Sequence, residues 1–107
     1  MIIYNVTCNV ESSISKDWQK WMQEVHVPEV MQCGFFISSN MYRVLSSYDN
    51  GETFAIQYQC QSMKDLHHYE INFAKNLRKK LNDRFGDKVV AFRTILEEFD
   101  TFKNKKT

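Results

Sequence analysis

The sequence predicts an α+β sandwich, with two helices covering one face of a four-stranded antiparallel sheet. Three observations predict it. Short stretches alternate apolar and polar residues with period two, two longer ones repeat apolar residues every three or four positions, and 107 residues make one packed unit. A hydrophobic fraction of 43% and a charged fraction of 25% are ordinary for a globular chain, and three Gly and one Pro leave little material for linkers.

The first strand runs from Ile2 to Val10, where Ile2, Tyr4, Val6, Cys8 and Val10 alternate with Asn5, Thr7 and Asn9. After the capping-type residues Glu11-Ser12-Ser13, a helix is expected from about Ser15 towards Met31, with Ile14, Trp18, Trp21, Met22 and Val25 on its apolar face. Gly34 stands where a left-handed helix cap is wanted, and 35–47 reads as a long, imperfectly alternating strand with room for a bulge. Asp49-Asn50-Gly51 signals a tight hairpin turn into a third strand, in which Phe54, Ile56, Tyr58 and Cys60 share a face. Ser62 caps a second helix with Leu66, Tyr69, Phe73, Leu77 and Leu81 along its buried stripe, ending near Gly86. Lys88 to Glu98 is the last strand. The order β-α-β-β-α-β at this length means a ferredoxin-like sandwich with strand order 4-1-3-2. Residues 1–98 form this domain, and 99–107 are a basic tail.

The opening residues carry neither the basic region of a signal peptide nor the length of a membrane span, so a cytoplasmic protein is expected. Cys8, Cys33 and Cys60 are odd in number and never spaced as C-x-x-C, which points to ordinary buried or half-buried thiols. With 14 basic against 13 acidic residues the net charge is +1, too little to attract nucleic acid or anionic lipid. An RNA-binding sheet is disfavoured too, because the uncovered side of the third strand carries Ala55, Gln57 and Gln59 and no stacking aromatic. The three Gly are isolated, so no phosphate loop is present.

Two helices cover one side of the sheet only. The residues expected on the other side are Ile3, Asn5, Thr7 and Asn9, then Thr53, Ala55, Gln57 and Gln59, and finally Val89, Ala91, Arg93 and Ile95. Apart from Arg93 they are uncharged, which fits a second copy packed face to face better than open water. A homodimer is therefore expected, the alternative being a monomer with an uncharged wet face. Arg93 there needs an acceptor: a partner-chain carbonyl, a carboxylate or an anionic ligand.

Val25-His26-Val27-Pro28-Glu29-Val30 is the most unusual stretch. Proline inside a helix removes a donor and clashes with the carbonyl of Glu24, so the helix must kink or stop. In an unbroken helix Glu29 falls near the middle of the apolar stripe and His26 at its edge, which makes them candidate catalytic groups in a pocket beside the first helix. The alternative is that the kink turns Glu29 out to water. Trp18, Trp21, Met22, Tyr58 and Arg93 are the expected ligand-binding residues. Glu70 lies near the second stripe, as a further pocket carboxylate or as a flank group in water. The neighbours His67 and His68 point about 100° apart and do not share a metal. No metal or cofactor is expected.

MIIYNVT, EVHVPEV, FAIQYQC and FGDKVVAFRT together resemble a small bacterial family known only as a domain of unknown function, over about residues 1 to 98. More distantly the chain is similar to the dimeric α/β-barrel superfamily, which includes antibiotic-biosynthesis monooxygenases, haem-degrading monooxygenases, muconolactone isomerases and stress-responsive barrel proteins. That resemblance implies a face-to-face sheet dimer with a small-molecule pocket between sheet and helices. It does not carry a reaction with it. The haem-degrading pattern wants an Asn on the first strand, a Trp from the sheet and a His on the second helix. Asn5 matches the first, but Trp18 and Trp21 are both in the first helix, and Lys75 and Asn76 follow Phe73-Ala74 where the His is wanted. The resulting expectation is a homodimer that binds or transforms a small apolar or aromatic metabolite. The alternative is a non-catalytic protein-interaction or regulatory module, marked by an exposed apolar patch around Phe35, Phe36, Phe99 and Phe102.

Overall fold

A computed structural model of the chain describes residues 1–46 and 50–105. Its elements in order are β1 (Ile2–Val10), α1 (Ser15–Trp21), α2 (Val27–Gln32), β2 (Ser38–Arg43), β3 (Glu52–Cys60), α3 (Met63–Tyr69), α4 (Lys75–Phe85) and β4 (Val89–Glu97). The four strands form one antiparallel sheet in the order β2-β3-β1-β4, the expected 4-1-3-2 read from the other edge. β1 carries the apolar positions that anchor the core. Its Ile2, Tyr4, Cys8 and Val10 pack with Phe54, Ile56, Tyr58 and Cys60 of β3 beneath the helices.

Each helical layer is one rod interrupted by a π-helical turn. Met22–His26 joins α1 to α2, and Glu70–Ala74 joins α3 to α4. The first turn accommodates Pro28. The Val27 N–H bonds back to the Met22 carbonyl five residues earlier, so the rod widens just before proline and Pro28 sits in the first turn of α2, where no donor is needed. A widened turn also shifts the helical phase by one residue. Val27 and Val30 therefore pack on the core where Val25 was expected, and Ala74, fully buried, takes the place expected of Phe73, which stays 38% exposed. Ser62 caps α3 as the sequence suggests, its hydroxyl accepting from the Asp65 N–H at 3.3 Å.

β2 is shorter than the stretch 35–47. Phe36 drops into the core beside Tyr4, Tyr58 and Tyr69, which keeps 34–37 out of the sheet until the Ile37 N–H reaches the Gln59 carbonyl at 2.7 Å. From Ser38 to Arg43 the pairing with β3 runs without a bulge. In the expected hairpin turn Asp49 lies outside the described residues, and Gly51 has the positive φ, +86°, that the turn reading requires.

The phase of β4 corrects the sequence reading. Val89, Ala91, Arg93 and Ile95 stand opposite Val10, Cys8, Val6 and Tyr4, so all four lie on the helix side of the sheet and not on its open side. A short 3₁₀ turn, Gly86–Lys88, delivers the chain to the sheet, and the Glu11 N–H donates to the Lys88 carbonyl at 3.0 Å. That bond fixes Val89 against Val10 and hence the face of every later residue. The open side receives Val90, Phe92, Thr94 and Leu96 instead. Together with Ser38, Asn40 and Tyr42 of β2 and the expected residues of β1 and β3, these give a face without a single charged side chain. Cys60 stands opposite Ile2, six residues along from Cys8, and all three cysteines are free.

Candidate functional site

The helix side of β4 does not lie flat under the helices, and a cleft opens there between β4 and the α4 rod. It has two connected parts that share Arg78, Leu81 and Arg93 in their walls. The inner part, about 20 Å³, reaches under the first rod to Met22 and His26, the first and last residues of its π turn. Tyr4, Tyr58 and Tyr69 close it from the sheet and from α3. The outer part, about 170 Å³, runs along Val89 and Ala91 to Asn82 and Gly86. A cavity of about 150 Å³ is large enough to take a benzene ring.

The π turn explains how an imidazole reaches this place. It carries His26 beneath the rod, where the ring stacks on Trp21 at 5.5 Å. Burial lowers the His26 pKa to about 4, with Glu29 opposing that shift and Arg93 and Lys80 adding to it. The ring is therefore neutral near pH 7, one nitrogen a donor and the other an acceptor. Burial likewise raises the Tyr58 and Tyr69 phenols, which stay protonated and available as donors. Neither hydroxyl has a hydrogen-bond partner among the described residues. Tyr4 is different: its oxygen accepts from Arg78 at 2.6 Å, and Arg78 also pairs with Glu70 at 2.8 Å.

The structure thus brings His26, Met22, Tyr58 and Arg93 of the sequence-predicted set around one cavity. The other three lie outside its lining. Trp18 is fully buried against Phe54 at 4.9 Å. Trp21 stands behind His26, with Phe85 on its far side. Glu29 is turned towards the second rod, where its carboxylate holds Lys80 at 2.9 Å. Glu70 is likewise committed to Arg78. Arg78 and Tyr69 are lining residues that the sequence reading did not single out as site residues. The signal for Arg78 was its place between Leu77 and Leu81 on the buried stripe, eight residues after Glu70. His67 and His68 are both exposed, and no group of metal-ligating side chains forms among the described residues. Phe36 is in the core and Phe35 stacks on His68, which leaves only Phe99 and Phe102 of that proposed apolar patch fully exposed. No helix among the described residues is long and apolar enough to cross a membrane.

Comparison with known proteins agrees with this architecture. A protein of Deinococcus radiodurans provisionally named an antibiotic biosynthesis monooxygenase superposes with a TM-score of 0.69 at 13% identity, covering 97% of this chain and 98% of its own. A dimeric ferredoxin-like protein from an uncultured marine organism gives 0.66 at 12%, covering 97% and 100%. An ethyl tert-butyl ether (ethd) family protein of Bacillus halodurans gives 0.65 at 13%, covering 92% and 100%. At such identities the likeness shows a shared fold alone. No curated protein gives a significant match. Residues 1–99 match the model of DUF4286, a domain of unknown function, and the chain belongs to that family.

Proposed function

We propose that this protein is a cytoplasmic homodimer, joined through its open sheet face, in which each protomer binds a small apolar or aromatic metabolite in the cleft beneath β4. The observation that carries this reading is the cleft itself. It pairs an apolar wall of Met22, Leu81, Val89 and Ala91 with the Tyr58 and Tyr69 hydroxyls, for which no described residue supplies a hydrogen bond. That is the composition of a ligand pocket: mostly apolar contact, with a few placed donors for orientation. Two solved structures of this fold, described as dimeric ferredoxin-like proteins, support the assembly, and three free thiols suit a reducing compartment.

His26 supplies a neutral donor and acceptor to the ligand and is the group placed for any proton transfer. With its pKa near 4 it is a weak base at neutral pH, so binding is the primary activity and a reaction would need a ligand that raises that value. The test is a chemical-shift titration of the full chain with benzyl alcohol. Perturbations centred on Met22, His26, Tyr58 and Leu81, and lost in a Leu81→Trp variant that fills the cleft, are the expected result. Shifts scattered over the surface, or unchanged by Leu81→Trp, would remove the cleft from consideration.

A further inference from the structure

Resting on the cleft reading, we propose that the ligand carries a carboxylate and that Arg93 is the residue that binds it. Arg78 and Arg93 both line the inner and the outer part, so two guanidinium groups stand where the parts meet. They are not equivalent. Arg78 is engaged by Glu70 at 2.8 Å and by the Tyr4 hydroxyl at 2.6 Å. Arg93 has neither a hydrogen bond nor an ion pair with any described residue, and the residue opposite it on β1 is the apolar Val6. The other two charges felt by His26, those of Glu29 and Lys80, satisfy each other at 2.9 Å. One positive charge is left without a counterpart among the described residues, in a cleft whose other donors, Arg78 aside, are phenols, a neutral imidazole and the Asn82 amide.

A guanidinium has the planar, two-pronged donor geometry that matches a carboxylate, and Arg93, itself exposed, is open to such a ligand. Size narrows the class further. The outer part, about 170 Å³, takes a single six-membered ring against Leu81, Val89 and Ala91, while the inner part, about 20 Å³, admits one oxygen atom or one water. The fitting ligand is a monocyclic or short-chain carboxylic acid of about the size of benzoate. Its acid group sits at Arg93 and one oxygen points towards His26 and Tyr58. Arg78, already held by two partners, is a positioning residue that keeps the wall of the cleft in place.

The experiment compares benzoate with benzyl alcohol, its uncharged counterpart, by calorimetric titration and ligand-observed NMR on the wild-type chain and on Arg93→Gln, Arg93→Lys and Lys80→Gln. Benzoate is expected to bind at least about tenfold more tightly than the alcohol. Arg93→Gln should remove that preference by weakening benzoate at least about tenfold more than the alcohol, Arg93→Lys should keep part of it, and Lys80→Gln should leave it whole. Equal affinity for the two probes, or a preference that survives Arg93→Gln, overturns the carboxylate assignment and leaves the cleft standing. Failure of both probes to bind overturns the two readings together.

Discussion

His26 shows how one side chain can couple the fold to pH. Burial holds its pKa near 4 in the folded chain against 6.5 for an ordinary imidazole. Between those values the unfolded chain binds more protons than the folded one, so this contribution is complete above about pH 6.5 and is lost as the pH falls towards 4. The most that one group can supply over such a gap is about 3 kcal/mol. Urea unfolding at about pH 7.5 and about pH 4.5 should show a larger acid loss for wild type than for His26→Gln. Equal losses would mean that the imidazole is not buried as a neutral group. The cysteines allow a second test at this scale. Burial raises the Cys8 thiol to about 11 and lifts Cys60 and Cys33 as well, but Cys33 alone is half-buried and within reach of a reagent. In the native protein Cys33 should therefore react first with a disulfide reagent, and the other two only after denaturant is added. Fast modification of Cys8 in the native state would contradict the packing of β1.

At the level of elements, strands with one polar side were legible and the strand that is apolar on both sides was not. β1 has Asn5, Thr7 and Asn9 on its open side, and the alternation gave its limits and its face together. In β4 both alternate sets are apolar, Val89, Ala91 and Ile95 on one side and Val90, Phe92 and Leu96 on the other, so period two is present in the backbone but erased from the sequence. For that reason the sequence puts Arg93 on the open face, although its residue type already marks it as a ligand-binding candidate. The π turns hid the rest. A period of 3.6 continued through 22–26 and 70–74 misplaces residues in and just after each turn, which is why Val25 and Phe73 look like core residues and Glu29 like a pocket carboxylate, while Leu77 and Leu81 are buried as expected. Turn chemistry was easier to read, and it supports a prediction. A Cβ at Gly51 would lie 2.5 Å from the Val10 carbonyl oxygen, whereas one at Gly34 meets nothing within 4 Å, although both have φ near +86°. Gly34→Ala should cost only the backbone strain, about 1 kcal/mol, and Gly51→Ala clearly more, since backbone must move as well. Chemical denaturation of the two variants decides it, and equal costs would place the β2–β3 turn away from β1.

For the whole molecule, the open sheet face sets the strongest constraint. Freely solvated strands usually display Lys and Glu, but this face displays none, and Phe92 (61%), Val90 (66%) and Tyr42 (50%) stand exposed on its outer strands. Its amides do not make it expensive to cover. Asn5 donates to Thr7 at 3.0 Å, Asn9 to Thr53 at 3.1 Å, and Ser38 to Gln59 at 3.2 Å, so much of the polar surface is satisfied within the face before any partner arrives. What remains to be buried is mostly ring and aliphatic surface, the part that favours association. A lysine at position 92 would appear on both sides of a two-fold interface, each copy desolvated with no acceptor of opposite charge on the face. Phe92→Lys should therefore raise the dimer dissociation constant at least about a hundredfold. The side chain is more than half exposed within one chain, so the fold of the protomer should survive the change. Light scattering is expected to report twice the 12.8 kDa chain mass for wild type and the single mass for Phe92→Lys. Ile71→Lys, on the outer surface of the second rod and 81% exposed, should leave the mass doubled. If the wild-type chain scatters as one copy, the apolar face must meet some other surface; if Phe92→Lys remains a pair, the two copies meet elsewhere.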